Sequence, residues 1–141
     1  MKRTGSAVWN GSVKEGAGKV STESGALSDL NYSFKKRFGD EKGTNPEELI
    51  GAAHASCFSM ALSLMLGEAG FTPDEINASS AVSIEQQGGG FQITFIDLSV
   101  TATVPGIDEA QFKEIATKAK DGCPVSKVLN AKINFEATLA A

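Results

Sequence analysis

The 141 residues hold one histidine, two cysteines, one tryptophan, one tyrosine and four prolines. With so few soft ligands, a closed four-ligand zinc site would need carboxylates or a second chain, so no metal and no cofactor is expected. Thirteen Lys and Arg stand against 17 Asp and Glu, for a net charge of −4. No basic patch interrupts that balance, which argues against nucleic acid as a partner. No apolar h-region follows Met1-Lys2-Arg3-Thr4-Gly5, so no secretory signal is expected and the cytoplasm is the expected location. In that compartment two cysteines are reduced thiols or a catalytic pair rather than a standing bridge. The length suits one domain over residues 1–141.

What the chain does contain is one long apolar stretch. From Leu49 to Gly67 there is no Asp, Glu, Lys or Arg. Pro46 suits a first helical position, Thr44 or Asn45 can cap it, and Glu47 and Glu48 put negative charge where the helix dipole favours it. Apolar residues fall on every side of this helix, so it must be buried all round. A membrane span is the rival reading. His54, Ser56, Ser59, Ser63 and two glycines weaken it, and no Lys or Arg cluster flanks the run. A central core helix carrying Cys57 in its middle is the expectation, with no membrane involved.

Before it, residues 6–14 and 19–24 read as strands around a turn at Glu15-Gly16-Ala17-Gly18, and residues 31–38 as a third strand with Tyr32, Phe34 and Lys36 on one face. After it, residues 80–86 and 91–104 alternate around Gly88-Gly89-Gly90. Asp108 caps a second helix, with Gln111 as its partner three residues on. Cys123-Pro124-Val125-Ser126 restarts a short helix with Cys123 at the cap, and 132–139 closes as a strand. Strands segregated from helices indicate an α+β fold with antiparallel sheets around the central helix. Few strands are available to cover a helix apolar on all sides, so a second chain is expected to complete the cover in a homodimer.

A cysteine in an apolar helix is most often a small hydrophobe. Cys123 is different: a helix N-terminus and nearby Lys127 favour its thiolate, though a thiol merely placed near a cap remains open. His54 lies three residues before Cys57, which raises a Cys–His hydrolase, but no orienting Asn or Asp is evident and packed helix histidine is the plainer reading. Arg37 could be simple surface charge, and Glu47 could simply serve the helix dipole. Glu47 is ten residues from Cys57, roughly 15 Å along the helix and about 80° around it. It therefore cannot touch its own Cys57. Either a guanidinium bridges that gap or a second chain brings the charges across.

Gly43-Thr44-Asn45-Pro46-Glu47-Glu48-Leu49, Ala52-Ala53-His54-Ala55-Ser56-Cys57-Phe58 and Gly122-Cys123-Pro124-Val125-Ser126 closely resemble the osmotically inducible OsmC family, related to the organic hydroperoxide resistance (Ohr) proteins. The resemblance extends to Trp9, to Ser21-Thr22-Glu23-Ser24-Gly25 and to Gly67-Glu68-Ala69-Gly70-Phe71. It implies an intertwined α+β homodimer with active sites at the subunit interface, acting as a thiol-dependent peroxidase in oxidative and osmotic stress. It also implies that Cys57 is the peroxidatic nucleophile, Cys123 the resolving thiol, and Arg37 and Glu47 their charged companions. Organic hydroperoxides would be reduced better than hydrogen peroxide, given apolar neighbours such as Phe58 and Met60. An external dithiol, lipoyl-type by the family's association, would reopen the disulfide. The rival is a non-enzymatic dimer that binds an apolar ligand and whose cysteines are structural.

Overall fold

In the computed structural model, which describes residues 1–140, the chain divides into two compact units, Met1–Leu49 and the part from Ile50 onward. The first begins with β1 (Gly5–Asn10) and β2 (Ala17–Thr22), antiparallel from Gly5↔Thr22 to Asn10↔Ala17. The short β3 (Leu30–Tyr32) pairs antiparallel with the other edge of β2. Trp9 and Tyr32 meet on this sheet with ring centroids 5.4 Å apart.

The strand expected over 31–38 ends at Tyr32; Phe34–Phe38 is a helix, α1. Ser33 makes the change, because its hydroxyl accepts a hydrogen bond from the Lys36 amide and caps the new helix. Phe34 and Phe38, four residues apart, then meet at a tilt with ring centroids 5.1 Å apart, and Lys35, Lys36 and Arg37 sit toward the negative end of the dipole. A period-two pattern concealed an equally good one-turn spacing.

The apolar run forms α2 (Pro46–Glu68), begun by Asn45, whose Oδ1 accepts from the Glu48 amide at 2.9 Å. Its mean hydropathy of 1.7 and its length would permit a membrane crossing. One face of it packs as a core helix does. In the second unit Gly51, His54, Phe58, Leu62 and Leu66 form a buried stripe at three- and four-residue spacing. A Cβ on Gly51 would stand 2.6 Å from the Ser80 carbonyl oxygen, so only glycine lets the helix approach this closely. Gly70, at φ +92°, stops the helix while the Phe71 amide bonds back to Leu66.

Burial of α2 within one chain is nevertheless one-sided. Met60 and Leu64, on the other face, are 76% and 64% exposed. The expectation of cover on every side is not met by this chain alone.

The stripe rests on a second sheet in the order β4 (Glu75–Gln87), β5 (Gly90–Thr103), β6 (Lys132–Leu139). β4 begins five residues earlier than its alternation suggested, because Ile76 and Ala78 continue the pattern through weak strand formers. β4 and β5 form the expected antiparallel hairpin. β6 runs parallel to β5, against the expectation of antiparallel sheets throughout. The reason is the connection: α3 (Glu109–Gly122) and α4 (Pro124–Val128) lie between them and return the chain to the same end of the sheet. Asp108 caps α3 through the Gln111 amide, as the spacing predicts. Leu98, Val100 and Ala102 of β5, Phe112, Ala116 and Ala119 of α3, and the α2 stripe close one apolar core, with Phe135 edge-on to Phe58 at 5.5 Å.

Candidate active site

Cys57 lies on α2 beside the buried stripe, and Cys123 is the extended residue where α3 gives way to α4. Pro124 cannot continue α3, so the chain breaks there, while the Cys123 amide stays anchored to the Ala119 carbonyl at 2.9 Å. That break aims the side chain at α2. The two sulfurs stand 3.0 Å apart, joined by an S–H···S hydrogen bond, and both thiols are free. Cys57 is half-buried, whereas Cys123 is completely buried. Of the two, Cys57 is the more accessible residue.

Electrostatics divides the pair. Burial pushes the Cys57 thiol up, contact with Cys123 adds to that, and the Val125 amide opposes it. Burial also works upward on Cys123, but the Cys57 thiol, the amide and hydroxyl of Ser126 and the Val125 amide outweigh it and bring that thiol down. The Cys123 sulfur closes no capping bond at the start of α4. Contact between the two sulfurs thus works upward on Cys57 and downward on Cys123.

His54 is fully buried, with Nδ1 2.9 Å from the Ser80 hydroxyl and Nε2 2.8 Å from the Ser126 hydroxyl. Burial lowers its pKa, so the imidazole is neutral near pH 7. Both ring nitrogens are engaged by serines, which removes His54 as a base acting directly on Cys57 and with it the hydrolase reading. Neither serine stood out in the sequence. Ser126 carried a signal, since it is three residues past a helix-capping cysteine; Ser80, 26 residues from His54, carried none.

In the first unit the structure brings Arg37 and Glu47 together. Arg37 Nε lies 3.1 Å from both carboxylate oxygens, and Nη2 lies 2.6 Å from Oε1. Glu47 is buried and Arg37 partly exposed. The guanidinium also rests 5.0 Å over the Phe38 ring and borders a hollow of about 260 Å³ lined by Trp9, Val13, Tyr32, Phe34 and Phe38. The bonds to Glu47 use Nε and Nη2, so the carboxylate does not engage Nη1. Among the described residues no group of three or more His, Cys, Asp or Glu is placed to hold a metal ion.

Residues 39–138 match the family model described as OsmC-like protein. The chain is 58% identical to Peroxiredoxin OsmC of Escherichia coli over 96% of its own length and 95% of that protein's. It is 36% identical to an organic hydroperoxide resistance protein of Xanthomonas axonopodis, over 70% of this chain and 68% of the relative. Among solved structures, an OsmC-like protein from Mycoplasma pneumoniae superposes with a TM-score of 0.77 at 20% identity, covering 100% of this chain and 99% of that one.

Proposed function

The chain belongs to the OsmC family, and from that premise we propose that it is a thiol-dependent peroxidase that reduces organic hydroperoxides. The observation that carries this reading is the pair of free thiols 3.0 Å apart, one reachable and one shielded. Cys57 is assigned as the nucleophile because it is the less buried of the two cysteines. Its thiolate attacks one peroxide oxygen; the S–O bond forms, the O–O bond breaks, and the departing alkoxide takes a proton to become an alcohol. Cys57 is left as a sulfenic acid.

Cys123 then resolves it. A disulfide needs sulfurs at about 2.05 Å, so little movement is required from 3.0 Å. An external dithiol of the lipoyl type restores both thiols by exchange. In the proposed homodimer an Arg37 fixed by Glu47 would offset the burial that keeps Cys57 protonated and bind the peroxide oxygens; the groups that shift Cys57 within one chain do not include it. The aromatic hollow beside Arg37 suits an alkyl chain better than strongly hydrated hydrogen peroxide. The exposed apolar face of α2, with Met60 and Leu64, supports a homodimer that buries it, the active sites lying at the subunit interface.

The test is the intact mass after one equivalent of an alkyl hydroperoxide. Loss of about two hydrogens, as an internal disulfide requires, is expected, and regain on adding a dithiol. An unchanged mass with both thiols still free would sink the reading.

A further inference from the structure

Cys57 and Cys123 present two free sulfurs 3.0 Å apart, and the chain contains no other cysteine. Soft elements bond such sulfurs, and the spacing decides which of them fits. Zinc asks for four ligands in a tetrahedron. The one histidine lies three residues before Cys57, but both its ring nitrogens are taken, by Ser80 at 2.9 Å and Ser126 at 2.8 Å. Among the described residues no group of three or more His, Cys, Asp or Glu is placed to hold a metal ion. The sulfurs therefore form a two-ligand site.

Two ligands around a soft element stand either in a line or at an angle. With bonds near the ~2.3 Å of zinc–sulfur, a linear ion such as mercury(II) would separate its sulfurs by about 4.6 Å. The same bonds near a right angle, as at pyramidal trivalent arsenic, separate them by about 3.3 Å. Only the second is close to the 3.0 Å observed. Cys123 is completely buried in the apolar core and Cys57 packs against that core, so prising the sulfurs apart would disturb close packing.

We propose that the Cys57–Cys123 pair is a binding site for monosubstituted trivalent arsenicals, which carry one organic group and one oxygen on arsenic. Cys57, the less buried thiol, bonds first, and Cys123 closes the ring. Each thiol gives up its proton, two arsenic–sulfur bonds replace the bonds to oxygen, and the oxygen leaves as water. Arsenic stays trivalent, so nothing is oxidised or reduced. With no third cysteine in the chain, the third bond of arsenic keeps its organic group. The fold supplies the affinity by holding together two thiols that are 66 residues apart in sequence. An unfolded chain would have to close that loop itself, at a cost of about a thousandfold in binding.

Phenylarsine oxide is the probe, and no peroxide is present. The intact mass should rise by one arsenical less one water per chain, and both thiols should become inert to iodoacetamide. A small dithiol should release the adduct where a monothiol does not. In competition against that dithiol, Cys57→Ser and Cys123→Ser should each bind about a hundredfold more weakly or worse, because one sulfur loses the benefit of its neighbour. The wild-type chain in denaturing urea should bind about a thousandfold more weakly than when folded. An adduct that leaves either thiol open to iodoacetamide would overturn the proposal. So would a single-cysteine variant that binds as tightly as the wild type, or equal affinity in the folded and unfolded chain. The mass and the thiol count use the wild-type protein, so they stand even if a serine variant fails to fold. Alkyl hydroperoxide reports separately: a chain that forms no disulfide with it yet takes the arsenical on both sulfurs loses the peroxidase reading and keeps this site.

Discussion

Cys57 and Cys123 are 66 residues apart in the chain, yet their sulfurs stand 3.0 Å from each other. That contact separates the roles of the two residues in a way mutation can read. Cys57→Ser should abolish turnover of an alkyl hydroperoxide, because the serine hydroxyl is not ionised near neutral pH. Cys123→Ser should complete one reduction and then stall, and mass spectrometry should find Cys57 carried on to the sulfinic acid. Full dithiol-supported activity in Cys57→Ser would end the assignment.

Arg37 and Glu47 are expected to act as a unit. Charge-assisted hydrogen bonds are worth about 1.5–3 kcal/mol, so Arg37→Ala should slow oxidation of Cys57 by roughly ten- to a hundredfold. The alkylation profile of Cys57 should move to higher pH in the same variant. Glu47→Gln should fall between wild type and Arg37→Ala, because it loosens the guanidinium without removing it. Arg37→Lys should rescue poorly, since an ammonium cannot reproduce the fork that meets both Glu47 oxygens. An alkylation profile that stays put in Arg37→Ala would take Arg37 out of the mechanism.

Much of this arrangement was legible in the sequence because its causes are local. Pro46 with two glutamates starts α2, Asp108 with Gln111 starts α3, and Pro124 makes Cys123 a junction; each rests on neighbouring backbone groups. The segment 31–38 misled because Phe34 and Phe38 satisfy two periods and one serine hydroxyl decides between them. The parallel pairing of β6 depends on where two helices return the chain, which local pattern does not carry. His54 was visible, but its partners come from β4 and α4, and only tertiary packing brings Ser80 and Ser126 to its two nitrogens.

The same burial gives His54 a signature in stability. Its pKa in the folded chain lies below the ordinary value of 6.5, whereas the unfolded chain takes up the proton near that value. Between the two values the unfolded state binds more protons, so stability rises with pH. The contribution is complete above about pH 6.5 and is lost as the pH falls through the depressed native value, with a slope of at most about 1.4 kcal/mol per unit. Urea midpoints should decline on acidification below neutrality, and His54→Gln should flatten that decline. An equally steep decline in His54→Gln would assign it to other groups.

The outward face of α2 gives the last expectation. Met60 and Leu64 are exposed at 76% and 64%, while Phe58, Leu62 and Leu66 fill the core on the other side. Replacing the outward pair should therefore spare the fold of the chain and strike whatever covers them. Burying a large apolar side chain contributes about 1.5–3 kcal/mol, and a homodimer loses both side chains from both of its chains, so Met60→Glu with Leu64→Glu should weaken it by about ten-thousandfold or more. Sedimentation at micromolar concentration should give twice the chain mass for the wild type and the single-chain mass for the double variant, with helical circular dichroism preserved. Peroxidase activity should fall in parallel with the loss of dimer, since the sites are proposed to lie at the interface. A wild-type protein that sediments as a monomer, or a double variant that stays dimeric, would remove the second chain from the reading of this helix.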